Sequence, residues 1–328
     1  MLLLYLTVIQ AVRGTVVSAE TGLPLGYSVV ELQPNIGQRF ADSSGAFVFS
    51  AVSPGTYVLS VRQIAYTALD TQIVVRDNEA TVVRVALRHL AVELPPITVT
   101  AAQCIHPGPP DPTDTALAAV FDQLQENARR AVLLADSYPF RYVLELSERT
   151  VNQRGDTGKP EVRRLHFYSE DHHPYAEGRV VEPAWGPWGD PQTTVVIHSA
   201  ELQDLGNARF IANHCFRLAG LDTLAGDTLV RVDFEPAKRI GSPDMAGSAY
   251  LDRTTYELRY TTTSLTRPER SDMSDVRSMT FLTRFRNIAP GVPLQDSLRA
   301  VTIYRYGGDR AKIDTQRTLD IHFKRAPP

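Results

Sequence analysis

The stretch that most constrains this chain is Ser43–Val61. Two short runs with apolar residues at every second position flank the pair Pro54-Gly55. Phe47 and Phe49 share one face of the first run, and Tyr57, Leu59 and Val61 share one face of the second. A period of two around a Pro-Gly pair is the pattern of strand, turn, strand. Proline presets the φ of a turn, and glycine accepts the positive φ of a type II turn, so Gly55 is expected in that conformation. Ser43, Ser44 and Gly45 supply another turn just ahead. The five apolar residues are therefore expected to be core.

Around this stretch lie Gly14-Thr15-Val16, Thr21-Gly22-Leu23-Pro24-Leu25, Asp42 to Phe47, Pro54 to Leu59, and Ala65-Tyr66. Together they resemble the carboxypeptidase regulatory-like domain. That resemblance implies a seven-stranded β-sandwich related in shape to transthyretin, over residues 12–90. The sequence departs from the family pattern at Ala65, where glycine is usual. The domain is a non-catalytic accessory in the peptidases that name it, and a fold by itself does not define a function.

A chain of 328 residues has room for two domains of ordinary size. A net charge of -3 excludes a generally basic nucleic-acid binder. Met1 to Ala11 is apolar and too short to span a bilayer as a helix. It reads as the core of a secretory signal peptide without the usual basic start, or, in the plainer alternative, as a strand over Tyr5 to Ile9. No other run is long and apolar enough for a membrane helix, so none is expected.

Gln72 to Val75 and Ala80 to Leu87 complete the sandwich, with Asp77-Asn78 as the turn between them. Leu94-Pro95-Pro96-Ile97-Thr98-Val99-Thr100-Ala101 is similar to the segment that begins TonB-dependent receptors. Too few residues follow for such a barrel, so an edge strand or extended linker is expected. Pro107 to Pro112 closes a Pro-rich linker over 91–112. Beyond it, Leu117, Val120, Phe121, Leu124, Ala128, Ala131 and Val132 recur at three- and four-residue spacing. The spacing predicts one helix from Thr115 to Ala135, capped by Thr113 or Asp114.

From Phe140 onward the alternation is again that of strands: 141–147, 162–168, 228–234, 248–251, 257–262, 279–285, 298–306 and 318–323. The fold class expected is mainly β: the sandwich, then an α+β domain over 113–328 with the helix against a curved antiparallel sheet. Gly247-Ser248-Ala249-Tyr250-Leu251-Asp252 through Thr255-Tyr256-Glu257-Leu258 resembles the hairpin of the Lol-type half-barrel carriers, and carries no catalytic motif.

Cys104, His106, His214 and Cys215 invite a zinc site. Dedicated zinc sites use tight loops such as C-x2-C, whereas C-x-H and H-C on a strand point to opposite faces. A Cys104–Cys215 disulfide is expected instead, in keeping with export. Proteins that share this two-part layout by resemblance carry a Cys at both places.

Asp171-His172-His173, with Glu170, Pro174 and Tyr175, reads first as a solvated loop; His166 and His198 join it only if the fold brings them there. Trp185 and Trp188 belong to a Pro/Gly loop whose flat rings suit a sugar or a partner surface, or alternatively plug the sheet. Trp185, Trp188, Tyr175, His172 and His173 are thus the candidate binding residues. No nucleophile elbow, zincin motif, P-loop or dinucleotide fingerprint occurs. The expectation is a non-enzymatic exported envelope protein of a Gram-negative bacterium, without cofactor or metal, binding a protein, glycan or lipid partner. The alternatives are a periplasmic carrier of a hydrophobic ligand and a hydrolase around Glu170 to His173.

Overall fold

The computed structural model describes residues 10–77, 79–93, 103–185 and 191–327. Residues 1–9 of the leader reading over 1–11, Asn78 of the turn, the segment 94–102 and Trp188 lie outside the described residues, while Ala11 is the first residue of a strand. The chain divides into two compact units, one of residues 1–91 with the short segments 289–292 and 326–328, the other of 92–288 and 293–325.

The first unit is a sandwich of seven strands: β1 (Ala11–Ser18), β2 (Val29–Gln33), β3 (Gly37–Phe40), β4 (Ala46–Ser50), β5 (Gly55–Arg62), β6 (Leu69–Val75) and β7 (Thr81–Leu87). One sheet has the order β4-β1-β7 and the other β3-β2-β5-β6. Phe47, Phe49, Tyr57, Leu59 and Val61 all lie in the shared core with Val12, Val16, Leu32, Val85 and Leu87. Full burial of each such side chain stabilises by about 1.5–3 kcal/mol.

The local motifs have specific steric causes. A Cβ on Gly14 would stand 2.4 Å from the Val83 carbonyl oxygen and 2.7 Å from the Phe47 ring, so only glycine lets β4 and β7 close on β1. The Asp42 carboxylate accepts from the Ser44 and Ala46 backbone N–H groups and from the Ser44 hydroxyl, which ties the turn before Phe47. Gly55 is a correction to the sequence reading, because it begins β5 without a positive φ. The left-handed residue of that turn is Ala51 (φ 56°). Glycine is suited to position 55 for another reason: the Tyr57 ring folds back over it, and the Tyr57 hydroxyl donates to the Ser53 carbonyl at 2.9 Å. Ala65, where the family has glycine, is buried and left-handed with φ 69°.

In the second unit α1 (Thr115–Ser137) starts at Asp114, whose carboxylate accepts from the Leu117 N–H at 3.1 Å. It runs two residues past the predicted end. Val132, assigned to the buried face by spacing, is instead 36% exposed. The buried face carries Gln123, Glu126, Asn127 and Arg130 beside its apolar residues. Glu126 pairs with fully buried Arg130 at 3.1 Å. The Asn127 side chain donates to the Tyr256 carbonyl and accepts from the Leu258 N–H, bonding as a neighbouring strand would.

The strands are β8 (Phe140–Asn152), β9 (Glu161–Tyr168), β10 (Val181–Trp185), β11 (Pro191–Ile197), β12 (His214–Leu224), β13 (Asp227–Pro236), β14 (Asp244–Asp252), β15 (Leu258–Thr266), β16 (Val276–Ala289), β17 (Val292–Tyr304) and β18 (Asp309–Phe323). Nine of them form one sheet in the order β12-β13-β14-β15-β16-β17-β18-β8-β9, and β10 pairs with β11 alone. Strand β12 escapes the alternation because a bulge between Leu218 and Gly220 shifts its period. The apolar run before it forms the short helix α2 (Ala208–Asn213). The Asn207 side chain caps that helix by accepting from the Arg209 N–H.

Phe121 of α1 packs on Phe216 of β12 with ring centroids 4.6 Å apart, which identifies the helix side of the sheet. Paired residues of antiparallel strands share a face, so Thr261, Thr263, Thr283 and Phe281 lie together on β15 and β16. The buried face of β17 and β18 holds Leu298, Ala300 and Thr302 opposite Gln316, Asp314 and Lys312. Lys312 lies 2.9 Å from Glu148 and 3.3 Å from Asp314.

Cys104 and Cys215 are joined in a disulfide with Cα atoms 5.5 Å apart and a sequence separation of 111. Cys104 is buried with Ala237 and Ile240, and its carbonyl accepts from the Lys238 N–H. No helix of the described residues is long and apolar enough to cross a membrane.

Candidate functional site

The loop from β9 to β10, read in sequence as solvated, is anchored into the second unit. The Asp204 carboxylate makes the anchor. Its two oxygens accept from the Tyr175 N–H at 2.8 Å and the Glu201 N–H at 2.9 Å. Asp204 is the second residue of the 3-10 turn Gln203–Gly206, so one side chain joins two segments 29 residues apart. Burial pushes its carboxyl up to about 6, against the downward pull of the two backbone N–H groups. Beside it, the His172 Nδ1 lies 2.7 Å from the Glu201 carboxylate. Burial pulls His172 down, but the bond and charge of Glu201 outweigh it and hold the ring above its ordinary value.

Tyr175 is 8% exposed and stands edge-on to Phe210 and His214. Its hydroxyl donates to Asp244 at 2.6 Å. Burial and that carboxylate push the phenol well above its ordinary range. His214 is fully buried, with Nδ1 at 2.8 Å from the Phe210 carbonyl and Nε2 at 3.0 Å from the Met245 carbonyl. Both ring nitrogens therefore face backbone oxygens, and the neighbouring thiols are bonded to each other. No group of three or more His, Cys, Asp or Glu among the described residues is placed to hold a metal ion.

Above this polar core lies a cleft of about 470 Å³. Its walls come from the 173–180 loop, the base of the β10–β11 hairpin, and α2 with the turn before it. Pro174, Ala176, Val180, Ala200, Ala208 and Phe210 supply an apolar lining. His173, Arg179, Glu182, His198 and Arg209 supply the polar one. The His173 and His198 rings stack with centroids 5.4 Å apart. Glu182 pairs with Arg179 through two bonds and with His198 Nε2 at 3.2 Å.

Of the candidates read from sequence, His173 and Tyr175 line this cleft and His172 holds its wall. His198 joins them, while His166 stays on β9, paired with Val143. Trp185 ends β10 at the far end of the hairpin from Glu182, its side chain outside the described atoms. Glu170 lies 3.3 Å from Lys324 on the surface. Sequence reasoning missed Asp204, Arg179, Glu182, Arg209 and Phe210. Only the Asn207 cap, which announces α2, was visible as a local signal.

Comparison with known proteins places these observations. The model of the carboxypeptidase regulatory-like domain family matches residues 11–88. No curated protein matches the chain. Among solved structures, a DUF1329 family protein from Desulfovibrio piger is 11% identical over 63% of this chain and 95% of its own, with a TM-score of 0.35. A domain from Vibrio parahaemolyticus, described as a putative outer membrane lipoprotein-sorting protein, is 10% identical over the same shares, with a TM-score of 0.32. A LolA superfamily protein from Nitrosomonas europaea is 8% identical over 57% of this chain and 87% of its own, with a TM-score of 0.28. Residues 11–88 thus match the carboxypeptidase regulatory-like domain family.

Proposed function

We propose that this is a non-enzymatic protein of the bacterial envelope that binds a small ligand in the cleft of its second unit, with the sandwich as an accessory module. The observation that carries this reading is the chemistry of the cleft wall. Its described lining contains no Ser, Thr, Cys or Lys, and its Glu182 is paired with Arg179 and His198. Its Tyr175 hydroxyl is committed to Asp244, and both oxygens of Asp204 are committed to backbone N–H groups. What remains open is apolar surface with a few convergent charged groups, the ordinary make-up of a ligand site. The disulfide supports export, because such bonds persist in oxidising compartments.

Two observations weigh against the alternatives. A carrier with an acyl chain against the sheet calls for an apolar face, whereas the large sheet buries Thr261, Thr263, Thr283, Thr302 and Thr318 and carries the Lys312, Asp314 and Glu148 group. A hydrolase at Glu170 to His173 calls for a base facing a nucleophile, whereas His172 faces Glu201 and Glu170 faces Lys324.

The test is a fluorescence titration with the uncharged apolar probe N-phenyl-1-naphthylamine. Saturable binding near one site per chain is expected, and Ala208→Trp, which fills the cleft, should abolish it at unchanged thermal stability. Binding that survives this substitution, or ester turnover lost on His173→Ala, rejects the proposal.

A further inference from the structure

One charged group of the cleft wall has no partner of opposite charge among the described residues, and it points to the ligand. Arg179 is neutralised by Glu182, which also faces His198. The other buried carboxylate in the wall, Asp204, is occupied by two backbone N–H groups, and Glu201 faces His172. Arg209 lies on the opposite wall at the first turn of α2. It is exposed, and no carboxylate among the described residues pairs with it. Its backbone is fixed by the Asn207 cap and by Phe210, which is fully buried against His214. Arg209 therefore projects from a fixed backbone position at the rim of the cleft, with no carboxylate among the described residues paired to its guanidinium. The stacked His173 and His198 rings lie on the facing wall.

We infer that the ligand of this cleft is an amphipathic anion: an apolar body seated on Pro174, Ala176, Val180, Ala208 and Phe210, with one carboxylate, sulfonate or phosphate end on Arg209. This rests on the cleft being the binding site. A guanidinium presents paired N–H donors to a two-oxygen anion, which makes the contact directional as well as charged. A neutral or cationic ligand would leave Arg209 uncompensated and gain nothing from it. The rings of His173 and His198 suit an aromatic or unsaturated body, whose face they can cover.

The experiment pairs two probes that differ by one group. N-phenyl-1-naphthylamine is the uncharged counterpart of 1-anilinonaphthalene-8-sulfonate. At pH 7.5 and low salt, the wild type should bind the sulfonate about tenfold more tightly than the neutral probe, as a charged hydrogen bond of about 1.5 kcal/mol requires. Arg209→Gln should remove that preference and leave the neutral probe unaffected, and Arg209→Lys should keep part of it. Equal binding of both probes in the wild type, with no effect of Arg209→Gln, overturns the anionic ligand and leaves the cleft standing. Loss of neither probe on Ala208→Trp overturns the cleft itself.

Discussion

The two units of this chain are both β-rich, yet they are specified in opposite ways. In the sandwich nearly every determinant lies within a few residues of what it shapes. Asp42 ties a turn four residues long, Gly55 makes room for the ring two residues on, and Phe47 and Phe49 point inward because strands alternate. In the second unit the determinants are polar and distant. Asn127 stitches α1 to a strand end about 130 residues later, and Asp204 joins two loops that form one cleft. Among the described residues the sandwich buries only Ser18, Ser28 and Ser60 beside its apolar core, whereas the second unit buries Arg130, Glu126, His214, Asp244 and five threonines of its large sheet. Local apolar patterning builds a module, and long-range polar bonds build a site.

The largest expected difference is in the response to reduction. The disulfide closes a loop of 111 residues, which in the chain-entropy model stabilises by about 4–5 kcal/mol, an upper figure. Reducing it, or the Cys104→Ser/Cys215→Ser double variant, should lower the melting temperature of the second unit and leave that of the first unchanged. Scanning calorimetry of oxidised and reduced protein reads this directly. An equal shift of both transitions would erase the contrast.

Phe49→Ala is the converse experiment. It empties a site with no solvent exposure at the centre of the sandwich, and a cost of about 3–5 kcal/mol is expected there. Ligand binding at the cleft should persist. A variant that unfolds the second unit as well would show that the two are not separately specified.

A smaller effect separates the polar core by pH. The Asp204 carboxyl is raised from 3.8 to about 6. For an acid raised on folding, the favourable contribution is complete below the unfolded value and is lost as pH rises through the folded one. Two pH units correspond to about 3 kcal/mol lost between pH 4 and pH 6. His172, also raised, loses stability in the same direction at higher pH. The difference in denaturation midpoint between wild type and Asp204→Asn should therefore change across that window. Parallel curves would contradict the assignment.

The smallest expected effect lies in the sandwich. Ala65 holds a left-handed φ of 69°, which costs a residue with a Cβ about 1–2 kcal/mol. Ala65→Gly relieves this but adds freedom to the unfolded chain, so a net gain of about 0.5–1 kcal/mol is expected. Chemical denaturation of the first unit measures it, and a loss would mean that the alanine methyl is worth more than the strain.

How much was legible follows from these particulars. Alternation and turn residues indicated most strands of the sandwich and their core, while β3 (Gly37–Phe40) went unread and the seven-stranded form was implied by the family resemblance. The three- and four-residue spacing indicated α1 and its Asp114 cap, because helical periodicity is a property of the segment alone. The same spacing misplaced Val132 and was silent on Asn127 and Arg130, since a polar residue is buried only where partners satisfy it: Tyr256 and Leu258 for Asn127, Glu126 one turn away for Arg130. Strand β12 was hidden by its bulge, and α2 by an apolar run too short for its period to show.

The cleft belongs almost wholly to the tertiary structure. His172, His173 and Tyr175 stood out as chemistry-bearing residues, and the sequence by itself could place them only in a loop. That they form a wall depends on Asp204, Glu201 and Asp244, which lie 29 to 69 residues away in the chain. Sequence determined the local conformations, because sterics and period act over a few residues. The fold decided which side chains meet, because hydrogen bonds and charge pairs act through space.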